Sequence, residues 1–274
     1  MRRVLIACLM VLGLAMPGPA GVSDGAGGLL AALRLADMVE VMRAEGLAHG
    51  ARMEQELFVG RGGERWAVAV SDIYDSARML ATLTDTLERD LAREDKGPLA
   101  TFLASGRGSR VVAREIEARW ALLDPDIEAA SLERLRDMRA NRDPRLDLLG
   151  RVIGVNDLVE QNVVGAMNAN FAFYAGLAEG GAFARPPTED EMLRDVWEQE
   201  PEIRAETEQW LYSYLALAYA PLSDAVLDEY VALSRSAEGQ ALNGALFAGF
   251  DRAFSRISHE LGVVAARFVA GEDI

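Results

Sequence analysis

PRLDLLGRVIGVNDLVEQNVVGAMNANFAFYAGL, residues 144–177, is the longest periodic stretch in the chain. Turned at about 100° per residue, it places Leu149, Val152, Ile153, Val163, Val164, Met167 and Phe171 on one broad face. Asn156, Glu160, Asn170 and Tyr174 fall inside the same arc, while Gly150, Gly154, Gly165, Ala169 and Ala172 lie opposite. A helix that is bulky on one side and small on the other reads as one surrounded by neighbours, its small ridge letting another helix come close. The fold predicted from this stretch is all-α. It is an orthogonal multi-helix bundle of about nine or ten helices, built from two related helical units around a long central helix.

Outward from that stretch the pattern stays helical. Ala, Leu, Glu and Arg dominate, and no alternating run bounded by Asn-Gly or Asp-Gly turns predicts a hairpin. Start signals recur: Asp75, Asp124-Pro125, Asp143-Pro144, Thr188 with Glu191 as a capping box, Pro201, and Ser223. Gly60–Gly63, Gly106–Gly108 and the run from Gly180 to Pro187 break the pattern. The organisation predicted is a signal peptide over 1–20, an N-terminal helical unit over 21–140, a central long helix and loop over 141–185, and a C-terminal helical unit over 186–274.

A weak internal repeat supports the two units. Shifted by 131 residues, Phe102, Ser105, Gly108 and Val111 fall on Leu233, Ser236, Gly239 and Leu242. In each copy the glycine permits a tight corner and the serine can cap the following helix. Two sets of residues therefore carry a resemblance. One is the corner Phe102…Ser105…Gly108 with its second copy at Ser236…Gly239. The other is Asn156-Asp157-Leu158-Val159-Glu160 through Asn168-Ala169-Asn170-Phe171-Ala172-Phe173-Tyr174. On these the chain resembles the exported all-helical proteobacterial family called domain of unknown function 2059. The likeness covers most of the chain after the leader. It implies a helical, periplasmic protein with no established activity, and it brings no catalytic residues with it. The second copy departs from the first by having Leu233 where Phe102 stands.

The leader reading rests on Arg2-Arg3, the apolar run Val4–Met16, and Pro17-Gly18-Pro19-Ala20 with small residues at the peptidase positions. The run is too short to span a bilayer as a mature helix. Cys8 sits inside that run, unlike a lipoprotein cysteine, and the pattern flanking Arg2-Arg3 is not that of twin-arginine export. The general secretory route, cleavage near Ala20 and a periplasmic location follow. Cleavage would remove Cys8, the sole cysteine, leaving His49 and His259 as the imidazoles. The formal charge of −15 argues against nucleic acid as a partner. No later run of apolar residues is long enough to predict a membrane span.

Candidate chemistry is sparse. Polar groups within an apolar stripe cost roughly 1–3 kcal/mol each unless paired. Asn156, Glu160, Asn170 and Tyr174 are therefore read either as a satisfied buried network or as the lining of a ligand pocket. His49 lies on an apolar face between Gly46 and Met53, as a core or boundary histidine does. His259 has no second histidine at a metal spacing, and no metal or cofactor site is predicted. Asp124, Asp126 and Glu128 lack the glycine and later glutamate of a calcium loop and read as a helix start. Gly60-Arg61-Gly62-Gly63 and Gly106-Arg107-Gly108-Ser109 lack the strand and lysine of a phosphate loop. Trp66, Trp120, Trp197 and Trp210 read as core anchors.

The functional expectation is a non-enzymatic exported protein that binds an unknown protein or small-molecule partner or serves as an envelope-associated structural component. The alternative is a small-molecule or lipid carrier with its pocket beside the central helix. A hydrolase using Glu160 as base ranks behind both, because no nucleophile or metal accompanies it.

Overall fold

Side chains set the helix starts. Asp75 Oδ1 accepts from the Arg78 N–H at 2.7 Å, Asp124 Oδ1 from Asp126 at 2.9 Å, and Asp143 Oδ1 from Arg145 at 2.8 Å. Thr188 and Glu191 form the reciprocal capping box. Ser223 has the extended backbone of a cap, but its hydroxyl makes no capping hydrogen bond. The computed structural model describes residues 26–270, and among them every regular element is a helix. The proposed leader, residues 1–20, and the last four residues of the acidic tail lie outside the described residues.

In chain order the helices are α1 (Ala26–Ala32), α2 (Leu35–Leu57), α3 (Gly63–Ile73), α4 (Ser76–Asp90), α5 (Gly97–Ala104), α6 (Gly108–Ala121) and α7 (Pro125–Ala140). There follow α8 (Arg145–Val155), α9 (Leu158–Glu179), α10 (Glu189–Trp197), α11 (Glu200–Ala218), α12 (Asp224–Arg235) and α13 (Ala237–Ala270). These thirteen among the described residues exceed the nine or ten predicted, in part because residues 144–177 form two helices.

That division is the main correction to the sequence reading. Asp157 takes a left-handed conformation, φ 51° and ψ 37°, which an aspartate tolerates better than most residues. The bend exposes the Asn156 carbonyl, which accepts from Asn243 Nδ2 of α13 at 2.9 Å. The long helix at the middle is instead α13. It packs along α9 and also against α3, α4, α5 and α12. It buries Leu242, Leu246, Phe250, Ala253, Ile257, Leu261 and Ala265.

Helices α9 and α13 run parallel, as the order of their contacts shows. Asn243 meets Asn156, Asp251 accepts from Asn168 Nδ2 at 2.8 Å, and Gly262 lies against Gly176. Helix α9 buries Leu158, Asn162, Val163, Ala166, Ala169 and Gly176, residues drawn from both its small and its bulky side. Near their C-terminal ends the two backbones touch. A Cβ on Gly176 would stand 2.2 Å from the His259 carbonyl oxygen, and one on Gly262 would stand 2.2 Å from that of Phe173. The predicted ridge glycines Gly154 and Gly165 face open space. Val163 packs instead with Ala166 and Ile203 in a small separate cluster, and Val164 is exposed.

The two corners found in the sequence fold alike. Ser105 has φ −67° and ψ 154°, and Ser236 has φ −66° and ψ 161°. Each hydroxyl accepts from the glycine N–H three residues on, at 3.1 Å for Gly108 and 3.0 Å for Gly239. A Cβ on either glycine would clash with the carbonyl oxygen of Phe102 or Leu233, at 2.2 and 2.1 Å. At the far end of the core, Phe58, Trp66 and Phe268 form a ring cluster with centroids 5.0–5.6 Å apart.

Candidate functional site

The four residues predicted to share a site are strung out from the α8–α9 bend along α9. From Leu158 to Tyr174 the helix rises about 24 Å. Asn156 is buried and donates to the Val152 carbonyl of its own helix at 3.0 Å. Glu160 is exposed and pairs with Arg204 of α11 at 2.7 Å. Asn170 Nδ2 donates to Gln199 Oε1 at 3.4 Å, and the Tyr174 hydroxyl donates to Asp195 Oδ2 at 3.0 Å. Gln199 Nε2 in turn donates to the Asp195 carbonyl, so Asn170 and Tyr174 meet at the junction of α10 and α11. Asn156 and Glu160 do not join them.

The structure gathers ionisable groups elsewhere, where α6 meets α11 and α12. Helix α6 buries Val111, Val112 and Ile116, and Glu115 lies on that same face with no exposed surface. The Tyr219 hydroxyl donates to Glu115 Oε1, and the Tyr214 hydroxyl donates to the Glu115 main-chain carbonyl at 3.3 Å. Glu115 Oε2 has no hydrogen-bond partner. Removal from water pushes the Glu115 carboxyl well above the usual carboxylate range, and the Tyr219 hydrogen bond only partly offsets this. The buried phenols of Tyr214, Tyr219 and Tyr230 are likewise pushed up, by burial first and by Glu115 second.

One turn along α6, Arg119 grips Glu45 of α2 with two nitrogens. Its guanidinium stands 5.9 Å from the Trp210 ring centroid, and Trp210 stacks on Tyr214 at 4.7 Å. The charge of Arg119 is thus engaged by Glu45 and the indole. Glu115 was discoverable from sequence: it stands on the apolar stripe of Val111, Val112 and Ile116, where an acid is out of place. The arrangement is a sealed carboxyl among phenols, suited to holding a proton.

His49 is mostly buried, and burial lowers its pKa to about 4, with Arg52 adding to the effect. His259 Nε2 lies 3.1 Å from Glu179 Oε2. Of the four tryptophans, Trp66 is a core anchor and donates to the Gly50 carbonyl at 2.7 Å. Trp210 is half-buried, and Trp120 and Trp197 are 45% and 69% exposed, which corrects the core reading for both. Trp197 shares the outward side of α10 with Leu193, one turn earlier and 48% exposed, while Met192 and Val196 bury the inner side. Residues 189–208 carry nine acidic and two basic side chains around this pair.

No protein-family model matches the chain, and no curated protein or solved structure matches it. Among the described residues no helix is long and apolar enough to cross a membrane.

Proposed function

We propose that the protein is an exported, periplasmic, non-enzymatic component that works by binding another protein through the outer face of α10. The observation that carries this reading is the pair Leu193 and Trp197, one helical turn apart and largely exposed on an otherwise acidic surface. A tryptophan left in water while its own helix buries Met192 and Val196 is the kind of anchor that protein interfaces use. The leader-like start at Arg2–Ala20 supports export. The matching geometry of the Ser105–Gly108 and Ser236–Gly239 corners supports two related helical units, and with them the likeness to domain of unknown function 2059. The carrier alternative needs Asn156, Glu160, Asn170 and Tyr174 around one ligand, and their separate protein partners do not favour it.

Two measurements test the proposal. Cell fractionation with N-terminal sequencing should find a periplasmic chain that begins near Gly21; a cytoplasmic chain that keeps Met1 or Arg2 removes the export claim. A photocrosslinking amino acid at position 197 should give one defined heterologous adduct, absent when it stands at exposed Glu208. Equal adducts from both positions, or none from position 197, would remove the binding claim.

A further inference from the structure

The charge balance of the Glu115 joint has a regulatory consequence. The carboxyl has no exposed surface, one of its oxygens has no partner, and the other accepts one phenol hydrogen. The ionisable groups that face this region are few. Helix α6 contributes Arg119, α2 contributes Glu45, α11 contributes Tyr214 and Tyr219, and α12 contributes Tyr230. Among the described residues the cation in this group is Arg119, held by both oxygens of Glu45. An ionised Glu115 would therefore be a buried charge without a dedicated counter-ion, and such a charge is strongly disfavoured in a dry core. A neutral carboxyl suffers no such penalty and still accepts the Tyr219 hydrogen bond.

We propose that Glu115 is a proton-operated lock, whose neutral form lets α6 close against α11 and α12 and whose ionisation loosens that joint. The helices involved come from the two predicted units, α6 from the first and α11 with α12 from the second, so the lock fastens one unit to the other. The polar device belongs to one copy of the repeat. At the 131-residue shift, Glu115 and Arg119 fall on Leu246 and Phe250, which are buried and apolar.

The direction follows from linkage. In the unfolded chain a glutamate releases its proton near pH 4.3. The folded chain keeps it to higher pH, so the stabilisation is complete below about pH 4.3 and is lost as pH rises through the folded value. Within that window each pH unit shifts the unfolding equilibrium roughly tenfold toward the unfolded chain. Above the folded value the loss is complete and the dependence ends. His49 has its pKa lowered, so its contribution has the opposite sign and weakens the fold as pH falls. It is common to the wild type and a Glu115 variant and drops out of their difference.

The test compares wild type with Glu115→Gln by urea unfolding from pH 4 to 9. The glutamine keeps the shape and an acceptor for Tyr219 but holds no titratable proton. The variant should gain on wild type by about tenfold in the unfolding constant per pH unit above about pH 4.3, until the folded carboxyl has ionised. A wild-type-to-variant difference that stays flat across this range would overturn the proposal. Carbon-13 NMR of the Glu115 carboxyl in the wild-type chain is independent of whether the variant folds. Its inflection should lie well above pH 4.3, and an inflection at or below that value would also overturn the proposal. Amide exchange localises the effect: wild type should open faster than Glu115→Gln in α6, α11 and α12 at pH 8, with no difference along α9.

Discussion

Two helix packings in the molecule are held by opposite means. Where α9 lies along α13, Gly176 and Gly262 bring two main chains into contact, and bulky groups are kept out. Where α6 meets α11 and α12, large rings and an acid fill the space: Tyr214, Tyr219, Tyr230, Trp210 and Glu115. The first packing is steric. It is intolerant of one extra carbon, because the groups in contact are main chain. The second can absorb changes of shape through side-chain rotation, but it responds to charge. One fold thus carries one seam that reads volume and one joint that reads pH.

The largest expected effect breaks the steric side. Gly262→Val would force side-chain atoms into the Phe173 carbonyl, where the obstruction is backbone and cannot rotate away. A loss of about 3 kcal/mol or more is expected by urea unfolding, and nearly the same loss at pH 5 and pH 8. A tolerated valine would show that the seam is looser than its geometry. Next comes Arg119→Ala on the electrostatic side. It releases Glu45 and removes the cation over Trp210, but Glu45 is part-exposed and can turn to water. The loss should be about 2 kcal/mol, below that of breaking a fully sealed pair. Thr188→Ala touches neither packing. It removes one arm of the capping box and should cost about 1 kcal/mol, with faster amide exchange confined to the first turn of α10. The smallest stability effect belongs to Trp197→Ala, within about 0.5 kcal/mol of wild type, because the indole is mostly in water. Its effect should appear as loss of partner binding; a large fall in stability would instead make Trp197 a packing residue.

The same contrast explains what the sequence revealed. Helix starts were legible because Asp75, Asp124, Asp143 and the Thr188–Glu191 pair act on N–H groups within three residues of themselves. The Ser105–Gly108 and Ser236–Gly239 corners were legible for the same reason. The α8–α9 break was not, because Asn243, some ninety residues away, receives the carbonyl that the bend exposes. Which bulky residues of α9 meet water was not legible, because bulk alone does not mark burial. At a backbone contact the mark is its opposite, and Ala166, Ala169 and Gly176 face inward while Val164 faces water. Asn156, Glu160, Asn170 and Tyr174 stand out in the sequence as polar positions within an apolar periodic stretch. Glu115 was legible as an acid on the apolar stripe of α6, but its partners were not, because the phenols that surround it lie about a hundred residues downstream.

The ring cluster of Phe58, Trp66 and Phe268 has a consequence for biosynthesis. Two of its members are made early and the third comes only with the final turns of α13. Until residue 268 has been released, Phe58 and Trp66 have only each other's rings and part of the apolar interior stays open to solvent. A nascent chain of this kind completes its core only after almost all of it has been translated, and throughout that interval it presents a sticky surface to any chaperone that escorts it.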